Sequence, residues 1–172
     1  SLWQKFGAAR QAAKKAAAPS PSAPPKAHKK LPNNEVRLAF YTNGDPYSYT
    51  SLEKHASQIT HVCPEWMSLV NGLGELQIDA GSRLPKLAAA KGIALMPLLN
   101  NLVGDTWQPE AVENLAHGSV DGQDRFISKV LNELRKVRAS GVVVDWEQVD
   151  PAYKKEITAL LDRFAEALHN DQ

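Results

Sequence analysis

The chain has 172 residues, 43% of them apolar, and a formal net charge of +1. That length allows one domain with its own core, and no apolar run approaches the roughly 18–20 residues of a membrane helix. A single cysteine, Cys63, excludes an internal disulfide and says little about redox compartment.

The small net charge hides an asymmetry. Residues 1–34 hold seven basic side chains and no acid, which leaves 13 basic and 19 acidic residues in 35–172. An acidic body argues against nucleic acid as the ligand. Residues 8–32 are rich in Ala, Pro and Lys, with Pro19, Pro21, Pro24 and Pro25 close together. Such a segment predicts a disordered, extended linker over 1–34, with the domain occupying 35–172. Its basic charge is that of a solvated spacer, with contact to anionic lipid or wall polymer as the alternative. Residues 1–30 carry no apolar stretch of the kind a signal peptide needs.

From residue 35 the pattern alternates strand and helix. Val36–Tyr41 predicts a strand ending in the turn Thr42-Asn43-Gly44-Asp45-Pro46, and Ser51–Ser57 a short helix. Ile59–Pro64 predicts a second strand. Ser68–Val70 and Leu76–Ile78 flank Asn71-Gly72-Leu73-Gly74, which suits a small hairpin. Ser82–Lys91 predicts a helix stopped by Gly92, and Ile93–Leu99 a third strand. Helices follow at Pro109–His117 and Gln123–Ala139. The second carries Phe126, Ile127, Val130, Leu131, Leu134 and Val137 on one stripe. Val142–Val144 predicts a fourth strand and Ala152–His169 a last helix.

The β-then-α order implies a parallel sheet. Two architectures fit it, a doubly wound sheet and a (β/α)8 barrel. A doubly wound nucleotide binder carries a glycine fingerprint after its first strand. Here that turn has one glycine and an acid where a phosphate would sit. There is no phosphate loop, no HExxH and no metal-spaced Cys or His pair, so neither cofactor nor metal is expected.

Gly141-Val142-Val143-Val144-Asp145-Trp146-Glu147 carries the chemistry. A continuous β-branched run suits a strand buried on both faces. Strand alternation places Asp145 and Glu147 on one side, beyond the apolar core. In a barrel of parallel strands that C-terminal end is where catalytic groups sit. Two carboxylates there, one charged and one protonated, meet the needs of glycosidic bond cleavage. The same acids also suit a helix cap or a solvated turn.

Gly141–Glu147 resembles the fourth-strand signature of family 18 glycoside hydrolases, the chitinase-like barrels, which reads Asp-Gly-x-Asp-x-Asp-x-Glu. Gly141, Asp145, Trp146 and Glu147 match. Ser140 and Val143 stand where the first and middle aspartates belong. Ile59-Thr-His-Val-Cys-Pro-Glu-Trp66 is similar to second strands of the spore-lytic and cell-wall branch. Ile93-Ala-Leu-Met-Pro-Leu-Leu-Asn100 is similar to its third strand, and Leu38-Ala-Phe-Tyr41 to its first. The resemblance covers residues 36–169. It is closest to the glycosidase-like module of bacterial envelope proteins that also carry polysaccharide deacetylase and glycosyltransferase domains.

The resemblance implies the first four βα units of a (β/α)8 TIM barrel, with the other half downstream. It implies substrate-assisted retaining hydrolysis of β-1,4-linked N-acetylglucosamine polysaccharide. Glu147 would be the general acid, and Asp145 would orient the acetamido group and stabilise the oxazolinium. Tyr41, Trp66, Trp146 and Asn100 would contact sugar, although each aromatic also suits core packing. It further implies an envelope or extracytoplasmic location and a possible membrane tether upstream. Because Val143 cannot trade a proton with Asp145, the alternative is a catalytically impaired carbohydrate-binding module. Four units alone would leave apolar sheet edges bare.

Overall fold

The computed structural model describes residues 35–81 and 83–171. The expected linker over 1–34 lies outside the described residues. Eight strands and five α-helices are defined among those described. Strand β1 is Leu38–Tyr41, β2 His61–Leu69, β3 Leu76–Ile78, β4 Ala94–Leu95, β5 Leu98–Asn100, β6 Leu102–Val103, β7 Thr106–Trp107 and β8 Val143–Asp145. Helix α1 is Pro46–His55, α2 Arg83–Lys91, α3 Pro109–His117, α4 Val120–Val137 and α5 Lys154–Asn170.

The main sheet runs β1-β2-β5-β8, with every neighbouring pair on this path parallel. β4 also pairs parallel with β2, so β4 and β5 are two pieces of one third strand. The interruption falls at Met96-Pro97, because a proline has no N–H to give to a ladder. Pro97 still accepts through its carbonyl, from Val143 N at 3.0 Å.

Strand order decides between the two architectures left open by the sequence. Sequence-successive strands lie side by side without reversal, whereas a doubly wound sheet reverses direction at a switch point. One core cluster gathers side chains from all five helices and from one face of the strands. Helices therefore cover one face only, and the sheet curls as the first four units of a (β/α)8 barrel. The opposite, concave face is bare at its edge, where Phe40 of β1 is 65% exposed.

Local chemistry sets the element boundaries. Helix α1 starts earlier than expected, because Asp45 caps it by accepting from Tyr47 N at 2.9 Å and Pro46 supplies a preset first turn. Helix α4 likewise begins at Val120, capped by Ser119 accepting from Gly122 N at 3.2 Å. Gly92 takes φ +67°, the left-handed conformation that ends α2. The second strand continues past Pro64 to Leu69 through a bulge. Glu65 pairs with Leu98 and Met67 with Leu99, so Trp66 is the extra residue. The expected hairpin is present as β2–β3, with Met67 opposite Ile78 and Leu69 opposite Leu76.

Candidate active site

The C-terminal ends of the parallel strands form one rim. Asn100 at the end of β5 pairs in register with Asp145 at the end of β8, and with Ser68 of β2 on its other side. Side chains alternate along β8 as expected. Val142, Val144 and Trp146 pack against the helix-covered core. Val143 is absent from that core, and the two-residue period places it with Asp145 and Glu147 on the concave face. Both acids are half-buried.

Glu147 is held by a residue that sequence patterning did not single out. Asn101 Nδ2 donates to Glu147 O at 3.0 Å, and Asn101 Oδ1 accepts from Glu147 N at 2.9 Å. Asn101 is 0% exposed. Three residues on, Asp150 N donates to Glu113 Oε1 of α3 at 2.9 Å. Asp150 also caps the short 3-10 turn Pro151–Tyr153, accepting from Ala152 N at 2.8 Å. Between these anchors Gln148 has φ +60°, a left-handed conformation that a non-glycine residue adopts at a cost.

The structure separates the other candidate residues. Asn100 is buried on the rim, and its Oδ1 accepts from Leu102 N at 3.1 Å. Trp146 lies on the helix side, its ring centroid 6.5 Å from that of Phe126. Trp66 is 3% exposed, and its Nε1 donates to Asn43 Oδ1 at 3.3 Å, tying β2 to the first βα turn. Tyr41 leans on the same core and lines a groove of about 350 Å³ beside β1, with Phe40, Tyr47 and Leu52. The rim thus groups Asn100, Asp145 and Glu147, while Tyr41, Trp66 and Trp146 pack behind it.

The concave face is acidic. Glu65 lies in one row with Leu98 and Val143 across β2, β5 and β8. Among the described residues no salt bridge involves Glu65, Asp145 or Glu147. A face of unpaired carboxylates suits positive charge that develops in a reaction. Ser140, at the other end of the strand, donates its hydroxyl to Leu95 O at 3.0 Å. No group of three or more potential metal-ligating side chains occurs among the described residues.

No family model matches the sequence, and neither does any curated protein. Solved structures do match. The chain is similar to the spore cortex-lytic enzyme SleL of Bacillus megaterium, with TM-score 0.73 and 18% identity over 87% of this chain and 35% of that one. A chitinase from Chromobacterium violaceum gives TM-score 0.68 and 17% identity, covering 78% of this chain and 42% of that chain. A class V chitinase from Nicotiana tobaccum, solved as a mutant in complex with NAG4, gives 0.64 and 14%, covering 79% and 40%. The chain therefore spans well under half the length of these proteins. Their likeness shows the fold, an α/β chitinase-like partial barrel.

Proposed function

We propose that the chain belongs to a glycosidase-like domain acting on β-1,4-linked N-acetylglucosamine polysaccharide by substrate-assisted retaining hydrolysis. The supporting observation is the placement of Asp145 and Glu147 together on the concave rim, with the Glu147 backbone held at both polar groups. Glu147 would protonate the leaving oxygen and then activate water. Asp145, beside Asn100, would orient the acetamido group and stabilise the oxazolinium. The substrate's acetamido oxygen attacks the anomeric carbon, so no enzyme nucleophile is required. The neighbours named as chitinases and as a cortex-lytic enzyme support this substrate class and an extracytoplasmic, cell-envelope location. No helix among the described residues is long and apolar enough to cross a membrane, so a tether would lie elsewhere.

One observation favours a second reading, a carbohydrate-binding module with impaired catalysis. Val143 stands beneath Asp145 with Leu98 beside it, so the concave face lacks the proton-trading partner that the resemblance leads one to look for. Protein expressed from the full gene separates the two readings. N-acetylglucosamine oligomers are incubated with wild type and Glu147→Gln. Hydrolysis lost in the variant, with binding retained, supports the enzyme. Binding without hydrolysis in both supports the module. Hydrolysis unchanged by Glu147→Gln removes Glu147 as the acid.

A further inference from the structure

We propose that Asn101 is a positioning residue for Glu147, fixing the acid through its backbone and leaving its carboxylate free. The inference rests on the reading of Glu147 as general acid. Paired backbone ends at Asn100 on β5 and at Asp145 on β8. Two residues later the Glu147 N–H and C=O have no strand partner, and the carboxamide of Asn101 supplies one donor and one acceptor to them. Only an amide side chain offers both functions in one plane at this reach. A carboxylate would present a second acceptor to the Glu147 carbonyl, and an apolar side chain would leave both groups unbonded.

The brace is itself anchored. Asn101 O accepts from Gln108 N at 2.8 Å, immediately before α3. The same helix supplies Glu113, which holds Asp150 N. One preceding βα unit thus grips both ends of the segment 147–150 and keeps Gln148 at φ +60°. The side chain of Glu147 leaves this segment unencumbered, as a group that must give and regain a proton requires. A misplacement of about 1 Å costs on the order of 100-fold in rate.

Asn101→Leu and Asn101→Asp are made in wild-type and Glu147→Gln backgrounds of the full-length protein. Asn101→Leu is expected to lower kcat about 100-fold on N-acetylglucosamine oligomers with KM little changed. In the Glu147→Gln background it should produce no further loss, because both substitutions act on one group. Asn101→Asp keeps the acceptor for the Glu147 N–H and should recover part of the rate. A kcat loss of equal size in both backgrounds overturns the proposal, as does an unchanged kcat in Asn101→Leu. Hydrogen exchange gives a second readout that needs no turnover. The Glu147 amide should exchange at least about 10-fold faster in Asn101→Leu, while the Leu99 and Val144 amides stay protected. Unaltered exchange at Glu147 refutes the brace. If Glu147→Gln alone leaves hydrolysis intact, the general-acid reading fails, and exchange still decides whether Asn101 holds the segment.

Discussion

Truncating Phe126 tests how the rim is supported from behind. The ring is fully buried on α4. Its centroid lies 6.5 Å from that of Trp146 and 6.2 Å from that of Phe164, both tilted. Gly74 in the β2–β3 turn approaches so closely that a Cβ there would sit 2.8 Å from Phe126 Cβ. One side chain therefore joins the end of β8, helix α5 and the hairpin. Phe126→Ala should cost about 3–5 kcal/mol for transfer and cavity. Two lost aromatic pairs, at about 0.5–1.5 kcal/mol each, place the effect at the upper end of that range or above. Against a typical stability of about 5–15 kcal/mol, this brings the fold close to its limit. Phe126→Leu keeps most of the volume and should lose about 1–2 kcal/mol. Urea titration followed by tryptophan fluorescence, to which Trp146 contributes with the other three tryptophans, measures both. A loss below about 2 kcal/mol in Phe126→Ala, at unchanged m-value, refutes the reasoning.

Two further outcomes follow from single residues. Burial pushes the Cys63 thiol up from the usual 9.0 to about 11. At pH 8 its thiolate fraction is therefore about 100-fold below that of a free thiol, and a thiol-specific chromogenic reagent should react at least that much more slowly with native than with urea-unfolded protein. The raised value also means that the contribution of Cys63 to stability is fully present below pH 9 and declines as pH rises from 9 to 11, which thermal melts of wild type against Cys63→Ser across that window measure. Gln148→Gly removes side-chain strain at φ +60° and adds backbone entropy to the unfolded state. The two effects nearly cancel, within about 1 kcal/mol. Gln148→Val should destabilise by about 2 kcal/mol or more, and a melt showing the two variants alike would contradict the left-handed assignment.

The sequence made the alternation along β8 readable because period-two patterning is a local property. Val142, Val144 and Trp146 go to the core, and Asp145 and Glu147 emerge opposite. The Phe126-to-Leu134 stripe and the Gly92 stop were readable for the same reason, each resting on neighbours within a turn. The continuation of β2 past Pro64 was not. Proline reads as a strand terminator, yet Pro64 sits inside β2, in register with Tyr41 of β1. The β6–β7 ribbon was too short, at two residues per strand, to leave a pattern. The role of Asn101 has no local signature because its partner lies 46 residues away. The polar pair Asn100-Asn101 after an apolar strand was the available clue. Aromatic residues near strand ends suit sugar stacking and core packing alike, and the fold places Trp66 and Trp146 against the core behind the rim.

The grip of Asn101 on residue 147 has an evolutionary consequence. It reads main-chain atoms, which every residue except proline presents alike. The rim segment therefore holds its path whatever side chain occupies position 147. Under the proposed function, loss of the acid would remove the chemistry and leave the backbone path of the rim unchanged. Val143, on the same face of β8 as Asp145, pairs with Leu98 in a row that continues to Glu65. The side chain at position 147 is thus free to change while Asn101 keeps its grip on the main chain.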